Sequence, residues 1–259
     1  MTKLPAAFLQ APIAHRALHD VTAGRAENSP AAIQAAMDAG YGIEIDLQLS
    51  KDGEAMVFHD YDLERLAGVK VAIQTRTAAE LTQIQLLGGS DRIPTLSQVL
   101  DQVAGRVPLL IEVKDQDGQM GANVGRLERA TAKALEGYQG DIALMSFNPN
   151  SVRVLSGLCP DRARGLTTAA YDEDWAILPK GTREKLARIG DYDAAKCSFI
   201  SHDARDLNNP RVAELKRRGA GILCWTIKSA NEEAEARKVA ENVTFEGYMA
   251  AHPVADTAA

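Results

Sequence analysis

Residues 8–49 read FLQAPIAHRALHDVTAGRAENSPAAIQAAMDAGYGIEIDLQL, and two apolar runs in this stretch flank one helical pattern. The apolar runs Phe8–Ala14 and Gly42–Leu49 are typical of buried β-strands. Between them, Ser29–Ala39 predicts a helix, because serine can cap it, proline takes the favoured first position and glycine follows its end. This strand–helix–strand order indicates that the two strands pair in parallel.

The same alternation continues along most of the 259 residues. We expect further strands at Ala55–Phe58, Pro108–Val113, Ile142–Ser146, Ala163–Leu166, Ser198–Ser201, Gly221–Trp225 and Val243–Met249. Helical patterns occupy Leu96–Val103, Val124–Glu136, Asn150–Leu158, Thr182–Ile189, Pro210–Arg218 and Ala230–Val239. About eight strands separated by helices favour a closed (β/α)₈ TIM barrel, with an open doubly wound sheet as the alternative. No Gly-x-Gly-x-x-Gly segment follows a strand, which argues against a dinucleotide site.

One segment, residues 60–93, interrupts this alternation. It is mostly polar, and its only helical pattern is Ala78–Leu87. We predict a small lobe inserted after the third strand segment, near the strand ends where substrates enter a barrel. The chain is thus expected to be a single barrel domain, residues 1–259, with an insertion at about 60–93 and a frayed end at Ala255–Ala259.

Composition and charge narrow the class of protein. Hydrophobic residues make up 46% and charged residues 25% of the chain, as in ordinary soluble proteins, and the net charge of −6 argues against a nucleic-acid partner. The apolar N-terminal run is broken by two prolines and leads directly into His15, so we interpret it as a strand rather than a signal peptide. No apolar stretch approaches the roughly 20 residues of a membrane span. Three widely spaced cysteines suit a reducing compartment, and we expect a cytoplasmic protein without stable membrane insertion, of undetermined oligomeric state.

Acidic residues lie inside two of the predicted strands. Glu44 and Asp46 are two residues apart, so their side chains leave the same face of the strand, and Glu112 lies near the end of Pro108–Val113. Both faces of a barrel strand are buried, so these charges need a partner. Carboxylate oxygens are the preferred ligands of hard cations, which indicates a site for one Mg²⁺ or Ca²⁺ ion. The alternative is a buried ion network with Arg16 and Lys114.

Two histidines, His15 and His59, each end an apolar run. Side chains at the carboxyl ends of barrel strands face the active site. Two imidazoles beside a cation site suit the cleavage of a phosphate ester, because one group must remove a proton while another supplies one. We interpret the remaining histidines as surface or supporting residues: His19, His202 and His252.

Other residues are candidates for substrate contacts. Arg16 and Lys114 can both bind phosphate oxygens, and arginine can do so through two parallel hydrogen bonds. Asn28 either donates to a phosphate oxygen or caps the helix that begins near residue 30. Phe147 and Trp225 follow or end strands, where they form either a wall of the pocket or ordinary core.

These motifs, taken in order, resemble the glycerophosphodiester phosphodiesterase family. The family pattern has His-Arg-Gly, Pro-Glu-Asn-Thr, Glu-x-Asp, Lys-Asp-Gly and His-Asp. The matching segments here are His15-Arg16-Ala17, Ala26-Glu27-Asn28-Ser29, Glu44-Ile45-Asp46, Lys51-Asp52-Gly53 and His59-Asp60. Further segments resemble later family positions: Pro94-Thr95-Leu96, Glu112-Val113-Lys114, Ser146-Phe147-Asn148 and Trp225-Thr226.

The resemblance implies a (β/α)₈ barrel with an insertion, one divalent cation, and hydrolysis of small-molecule glycerophosphodiesters to glycerol 3-phosphate and an alcohol. It also implies that the glycerol 2-hydroxyl attacks first and that water then opens a cyclic phosphate. By position, the resemblance assigns Glu44, Asp46 and Glu112 to the metal, His15 and His59 to acid/base catalysis, and Arg16 and Lys114 to phosphate.

Three departures from the family pattern limit the resemblance: the first lies in the turn beside His15, and the last concerns substrate selection more than chemistry. Ala17 replaces a glycine, Ala26 replaces a proline, and the closing Asp-Gly-Ile-Ile-Thr-Asp is here Glu246-Gly-Tyr-Met-Ala-Ala251. Two rival functions remain. A phospholipase D-like enzyme acting on lysolipids needs an exposed apolar surface near its pocket. A catalytically silent barrel that binds phosphorylated ligands is expected to lack a metal or acid/base residue, and none is missing.

Overall fold

The computed structural model of the protein describes residues 2–253, so the predicted frayed end at Ala255–Ala259 lies outside the described residues. Its strands are β1 (Ile13–Ala14), β2 (Gly42–Leu49), β3 (Ala55–Val57), β4 (Asp62–Leu63), β5 (Val69–Ala72), β6 (Leu109–Val113), β7 (Ile142–Ser146), β8 (Ala163–Thr168), β9 (Phe199–Asp203), β10 (Gly221–Ile227) and β11 (Asn242–Phe245). Its helices are α1 (Ala7–Gln10), α2 (Pro30–Asp38), α3 (Glu64–Ala67), α4 (Ala78–Leu81), α5 (Leu96–Val103), α6 (Arg126–Ala134), α7 (Pro149–Leu158), α8 (Lys180–Ala187), α9 (Pro210–Arg217) and α10 (Ala230–Ala236).

Eight of these strands close into a parallel barrel. Their order is β1, β11, β10, β9, β8, β7, β6, β2, and β2 pairs again with β1. The short strand β3 adds to β2 in antiparallel orientation. The predicted (β/α)₈ TIM barrel is therefore confirmed, and the open sheet is excluded. In a closed barrel of this kind the carboxyl ends of all eight strands meet at one rim, where active sites lie.

The predicted first strand is wrong over its first half. Residues Ala7–Gln10 form the one-turn helix α1, and only Ile13–Ala14 pair as a strand. Phe8 is fully buried and packs with Ile13, Phe199 and Leu223 in one apolar cluster. A short apolar run can bury Phe8 equally well in a helical turn or in a strand. Hydrophobic periodicity does not distinguish these two structures in a run this short.

Residues 60–93 contain a second, two-stranded antiparallel sheet made of β4 and β5. Buried Leu63, Leu66, Ile73 and Leu81 belong to one apolar cluster, which also includes Phe58 at the end of the β3 segment. The segment thus has its own small core. That core is anchored directly beside His59.

Glycine at position 165 makes room for the phenyl ring of Phe199. A Cβ atom at Gly165 would lie 2.4 Å from Cε2 of Phe199, which is fully buried. Gly165 and Phe199 are also register partners on β8 and β9. The phenyl ring therefore fills the space that a side chain at position 165 would need.

Gly165→Ala should lower the free energy of unfolding by about 1–3 kcal/mol, because the extra methyl overpacks a filled interior. Gly157→Ala on α7 is the control, since a Cβ there meets nothing within 4 Å. It should raise stability by about 0.5–1 kcal/mol. Urea unfolding of both variants measures this, and equal stability of Gly165→Ala and wild type would contradict the packing argument.

Candidate active site

Three buried carboxylates meet at the carboxyl ends of β2 and β6. Asp46 and Glu112 are register partners on these neighbouring strands, and Glu44 precedes Asp46 by two residues on the same face. Glu44, Asp46 and Glu112 are 2%, 1% and 6% exposed, and one oxygen of each lies within 4.8 Å of the other two. The structure thus brings together all three residues that the sequence predicts as metal ligands.

The positive charge around these carboxylates is unevenly shared. Lys114 Nζ lies 2.8 Å from Asp46 Oδ1 and 2.6 Å from Glu112 Oε1, and Arg16 Nε lies 3.6 Å from Asp46 Oδ2. Glu44 accepts a hydrogen bond from the backbone N–H of Arg16, at 2.9 Å. Within residues 2–253 no cationic side chain lies within 4.0 Å of it.

The pKa values follow this distribution. Burial, together with the nearby charges of Asp46 and Glu112, raises the pKa of Glu44 well above its usual range. Burial alone would also raise the pKa of Asp46, but Lys114, His59 and Arg16 hold it far below the ordinary value. Lys114 and Arg16 compensate the negative charge of Asp46, whereas Glu44 has no such cationic partner in the described residues. The donor set therefore fits a further cation, and its hard oxygen atoms match Mg²⁺ or Ca²⁺.

His15 follows β1 and is held by a carboxylate from the far end of the chain. Its Nδ1 lies 2.6 Å from Glu246 Oε2, just beyond β11, which pairs with β1. Burial lowers the pKa of His15, while the hydrogen bond to Glu246 opposes that shift. In return, the contacts with His15 and His19 hold the pKa of Glu246 far below its usual range. The sequence analysis assigned Glu246 no role at the site.

His59 has a matching carboxylate partner. Its Nδ1 lies 2.6 Å from Asp60 Oδ1. Arg65, on α3 of the inserted segment, donates to Asp60 at 2.7 Å and to both oxygens of Glu27 at 2.8–2.9 Å. Although burial opposes it, the contacts with His59 and Arg65 lower the pKa of Asp60. Arg65 is not among the predicted site residues, and its place in the polar insertion is the only sequence signal that points to it.

Arg16 and Asn28 lie directly against these groups. Arg16 Nη1 donates to Glu27 Oε1 at 3.0 Å, and Asn28 Nδ2 donates to Asp46 Oδ2 at 3.0 Å. The helix-cap interpretation of Asn28 is wrong, because Ser29 caps α2 by accepting a hydrogen bond from the N–H of Ala32. Asn28 instead orients the predicted metal ligand Asp46.

Aromatic side chains form one wall of a cavity of about 710 Å³ that opens from His59 and Lys114. The ring of Phe147 lies 5.5 Å from that of Trp225 and 4.9 Å from that of Trp175, measured between centroids. Phe147 and Trp225 therefore line the pocket, which was one of the two interpretations of these residues; the other was ordinary core. Trp175 was missed, because it lies in a loop turn outside every predicted strand.

The model of the glycerophosphoryl diester phosphodiesterase family matches residues 15–244 of the chain. The chain belongs to this family. The predicted resemblance is therefore confirmed, and membership supports glycerophosphodiester hydrolysis as the activity. Glu246, the partner of His15, lies two residues beyond the matched range.

Named relatives agree with this membership of the phosphodiesterase family. The chain is 30% identical over 149 residues to a glycerophosphodiester phosphodiesterase of Caldanaerobacter subterraneus, in an alignment covering 54% of this chain and 60% of that protein. It is 25% identical over 216 residues to a glycerophosphodiester phosphodiesterase of Bacillus subtilis, covering 76% of this chain and 69% of that protein.

Solved structures share the barrel. The Oleispira antarctica phosphodiesterase OLEI02445, solved with the product sn-glycerol-3-phosphate, superposes with a TM-score of 0.74 at 23% identity, covering 92% of this chain and 93% of that one. A glycerophosphodiester phosphodiesterase from Parabacteroides distasonis gives 0.71 at 23% identity, with 90% and 91% covered. At this identity the likeness establishes the fold of the chain.

The three remaining histidines occupy different environments in this phosphodiesterase barrel. His19 Nε2 lies 3.6 Å from Glu246 Oε2, so His19 supports the partner of His15. His202 is fully buried and bonds Thr168 Oγ1 at 2.8 Å, so it is no surface residue. His252 is exposed and stacks on Tyr41.

Within residues 2–253, no helix has the length and apolar character needed to cross a membrane.

Glu246→Gln should lower the pKa of His15 further, because the amide removes the carboxylate whose hydrogen bond and charge raise that pKa. Glu235→Gln is the matched control, since Glu235 is 72% exposed and pairs with Lys238. NMR titration of the His15 ring measures the pKa in each variant. An unchanged or higher His15 pKa in Glu246→Gln would refute the pairing.

Proposed function

We propose that this chain is a metal-dependent hydrolase that cleaves glycerophosphodiesters to glycerol 3-phosphate and an alcohol. The single observation that carries this proposal is the cluster of Glu44, Asp46 and Glu112, flanked by two histidines that each bond a carboxylate. Cleavage of a phosphodiester needs positive charge at the phosphoryl oxygens and paired proton transfers, and this cluster offers both.

Glu44, Asp46 and Glu112 are proposed to hold one divalent cation, Mg²⁺ or Ca²⁺. When bound, such an ion supplies positive charge that stabilises the phosphoryl oxygens as charge develops on them. Arg16 and Lys114 are proposed to bind the same phosphate, because both basic groups lie within 4 Å of Asp46. Asn28 contributes indirectly, by fixing the carboxylate of Asp46.

His15 and His59 are proposed as the acid/base pair. Each uses Nδ1 to bond a carboxylate, which favours the tautomer with the proton on Nδ1 and leaves Nε2 to exchange protons with the substrate. One histidine removes the proton of the glycerol 2-hydroxyl as it attacks phosphorus, while the other protonates the departing alcohol oxygen. In the second step, water opens the cyclic phosphate with these two roles reversed.

Phe147 and Trp225 are proposed to pack against the apolar carbon atoms of the substrate, with Trp225 oriented by its hydrogen bond to the carbonyl of Ser201, at 3.0 Å.

Phospholipase D-like cleavage of lysolipids is the second candidate function. It is favoured by Trp175 in the cavity wall and by Ile177, two residues further on, which is 84% exposed. A glycerophosphodiester remains the better fit to the charged groups at the site.

We also propose that the 259 residues act as a single barrel domain with an insertion at about 60–93, on small-molecule substrates and in the cytoplasm. The cytoplasmic assignment is supported by Cys159, Cys197 and Cys224, which are buried and unpaired with one another in the described residues.

Removal of divalent metal should abolish cleavage of glycerophosphocholine, and Mg²⁺ or Ca²⁺ should restore it. The physical reason is that the ion supplies the positive charge that stabilises the phosphoryl oxygens, beside a carboxylate, Glu44, whose pKa is raised by burial and by the charges of Asp46 and Glu112. Release of glycerol 3-phosphate after exhaustive EDTA treatment and dialysis measures this. Full activity in metal-free protein would remove the metal from the proposal.

His15→Ala and His59→Ala should each reduce kcat by roughly 10² or more, since each side chain is proposed to transfer a proton. His252→Ala is the matched control, because this exposed histidine lies against Tyr41 and the carbonyl of Ala39 instead of the site. A near-normal kcat in either test variant, with unchanged thermal stability, would exclude that histidine from proton transfer.

A further inference from the structure

A second group of metal-ligating side chains surrounds the Nδ1 edge of the His15 ring. It consists of His15, His19 and Glu246, and one nitrogen of each histidine and one oxygen of the glutamate all lie within 4.8 Å of one another. His15 lines the cavity that holds the three carboxylates, whereas His19 and Glu246 line neither that cavity nor the larger one beside it. This group, which we call the histidine cluster, therefore lies outside the substrate pocket.

The backbone turn after β1 fixes the position of His19. Arg16 and Ala17 both adopt the left-handed conformation, with φ of 51° and 64°. The N–H of Ala17 donates to the carbonyl of Glu44 on β2 at 3.0 Å, and the N–H of His19 donates to the carbonyl of Ala17 at 2.9 Å. The chain thus turns back on itself, and His19 lies beside His15 because the turn is bonded to the barrel wall.

The Nε2 atom of His19 is buried and has no hydrogen-bond partner in the described part of the chain. Its 3.6 Å distance to Glu246 Oε2 is too long for a hydrogen bond. Buried polar atoms are rarely left in this state. The other oxygen of Glu246, Oε1, pairs with Lys228 at 3.0 Å, so Oε2 is shared by the two histidines. A neutral imidazole can offer the lone pair of such a nitrogen to a metal ion.

The separations within the histidine cluster match those of a tetrahedral metal site. Ligand atoms at the usual zinc distances from a common centre lie about 3.3 Å apart. Glu246 Oε2 lies 2.6 Å from His15 Nδ1 and 3.6 Å from His19 Nε2, on either side of that value. Imidazole nitrogens favour zinc and related transition metals, whereas Mg²⁺ and Ca²⁺ favour oxygen. The histidine cluster therefore differs in metal preference from the three carboxylates.

We propose that the histidine cluster binds a divalent transition-metal ion such as Zn²⁺, and that this ion blocks proton transfer by His15. The binding site goes beyond the proposed function and does not depend on it, whereas the loss of activity rests on the proposed role of His15. His19 lies outside every family motif matched in this sequence, and Glu246 stands where the closing motif has an aspartate.

The chemistry of the imidazole ring gives the reason for the block. A bond from Nδ1 of His15 to the metal uses the lone pair of that nitrogen, so the single proton of the neutral ring resides on Nε2. Nε2 then has no lone pair with which to accept a proton, and it can give up its own proton only by forming an imidazolate. Arg16 and Lys114, the proposed phosphate ligands, are not part of the histidine cluster, so the ion should lower kcat and change KM little.

Anomalous diffraction locates the ion without any need for turnover. Crystals held in saturating Mg²⁺ are soaked in Zn²⁺ and measured at the zinc edge. We expect a peak bounded by His15 Nδ1, His19 Nε2 and Glu246 Oε2. A map with zinc only among Glu44, Asp46 and Glu112, or with no zinc peak, would overturn the proposal.

Calorimetric titration with Zn²⁺, again in saturating Mg²⁺, tests the contribution of His19. His19→Gln should weaken zinc binding by at least about tenfold, because the loss of a residue that merely supports a ligand already costs roughly 10–100-fold. His252→Gln is the matched control, since this exposed histidine stacks on Tyr41 and should leave the affinity unchanged. Equal zinc affinity of wild type and His19→Gln would contradict the site, and so would an equal loss in both variants.

Inhibition kinetics test the block itself. In saturating Mg²⁺, Zn²⁺ should lower the wild-type kcat for glycerophosphocholine by at least about tenfold, because acid/base catalysis by a side chain typically contributes 10²–10⁴-fold. His19→Gln, compared with its own zinc-free rate, should resist the same zinc concentration. Inhibition that further Mg²⁺ relieves, or that is equal in His19→Gln, would overturn the block. If wild type cleaves no glycerophosphodiester but the zinc peak and its dependence on His19 are found, the proposed function fails and the metal site stands.

Discussion

The burial of three carboxylates inside a closed parallel barrel is the constraint on which the site depends. Glu44 and Asp46 share one face of β2, and the register of β2 with β6 sets Glu112 beside Asp46. Charges at these depths cost several kcal/mol each unless they are compensated. Lys114 and Arg16 compensate Asp46, and Glu44 is left with a raised pKa. This imbalance supports the proposed cation site, which would lie within an ion network.

Around that centre, a second polar group holds three of the proposed active residues in place. Asn28 fixes Asp46, Glu246 fixes His15 and Asp60 fixes His59. The inserted segment takes part, since Arg65 ties Asp60 to Glu27 in the loop before α2. Groups held in this way need little rearrangement when a substrate binds. Charge in a transition state is stabilised most effectively by groups that are already in place.

The fold and the central residues were predictable from the sequence because they follow local rules. The Glu-Ile-Asp spacing fixes a shared face on any strand, and the alternation of runs indicates a parallel barrel. The partners of these residues were not predictable, because they depend on closure. Glu246 meets His15 only because β11 pairs with β1, and Arg65 reaches Asp60 only through the fold of the insertion.

Anomalous diffraction tests most directly whether these carboxylates form a cation site. Crystals of the metal-free protein soaked in Mn²⁺, which shares the oxygen ligands of Mg²⁺, are measured at the manganese edge. We expect one strong peak between Glu44, Asp46 and Glu112, and we expect it to be lost in Glu44→Gln. A wild-type map without a peak at that position would contradict the account, and would leave the cluster as an ion network held by Lys114 and Arg16.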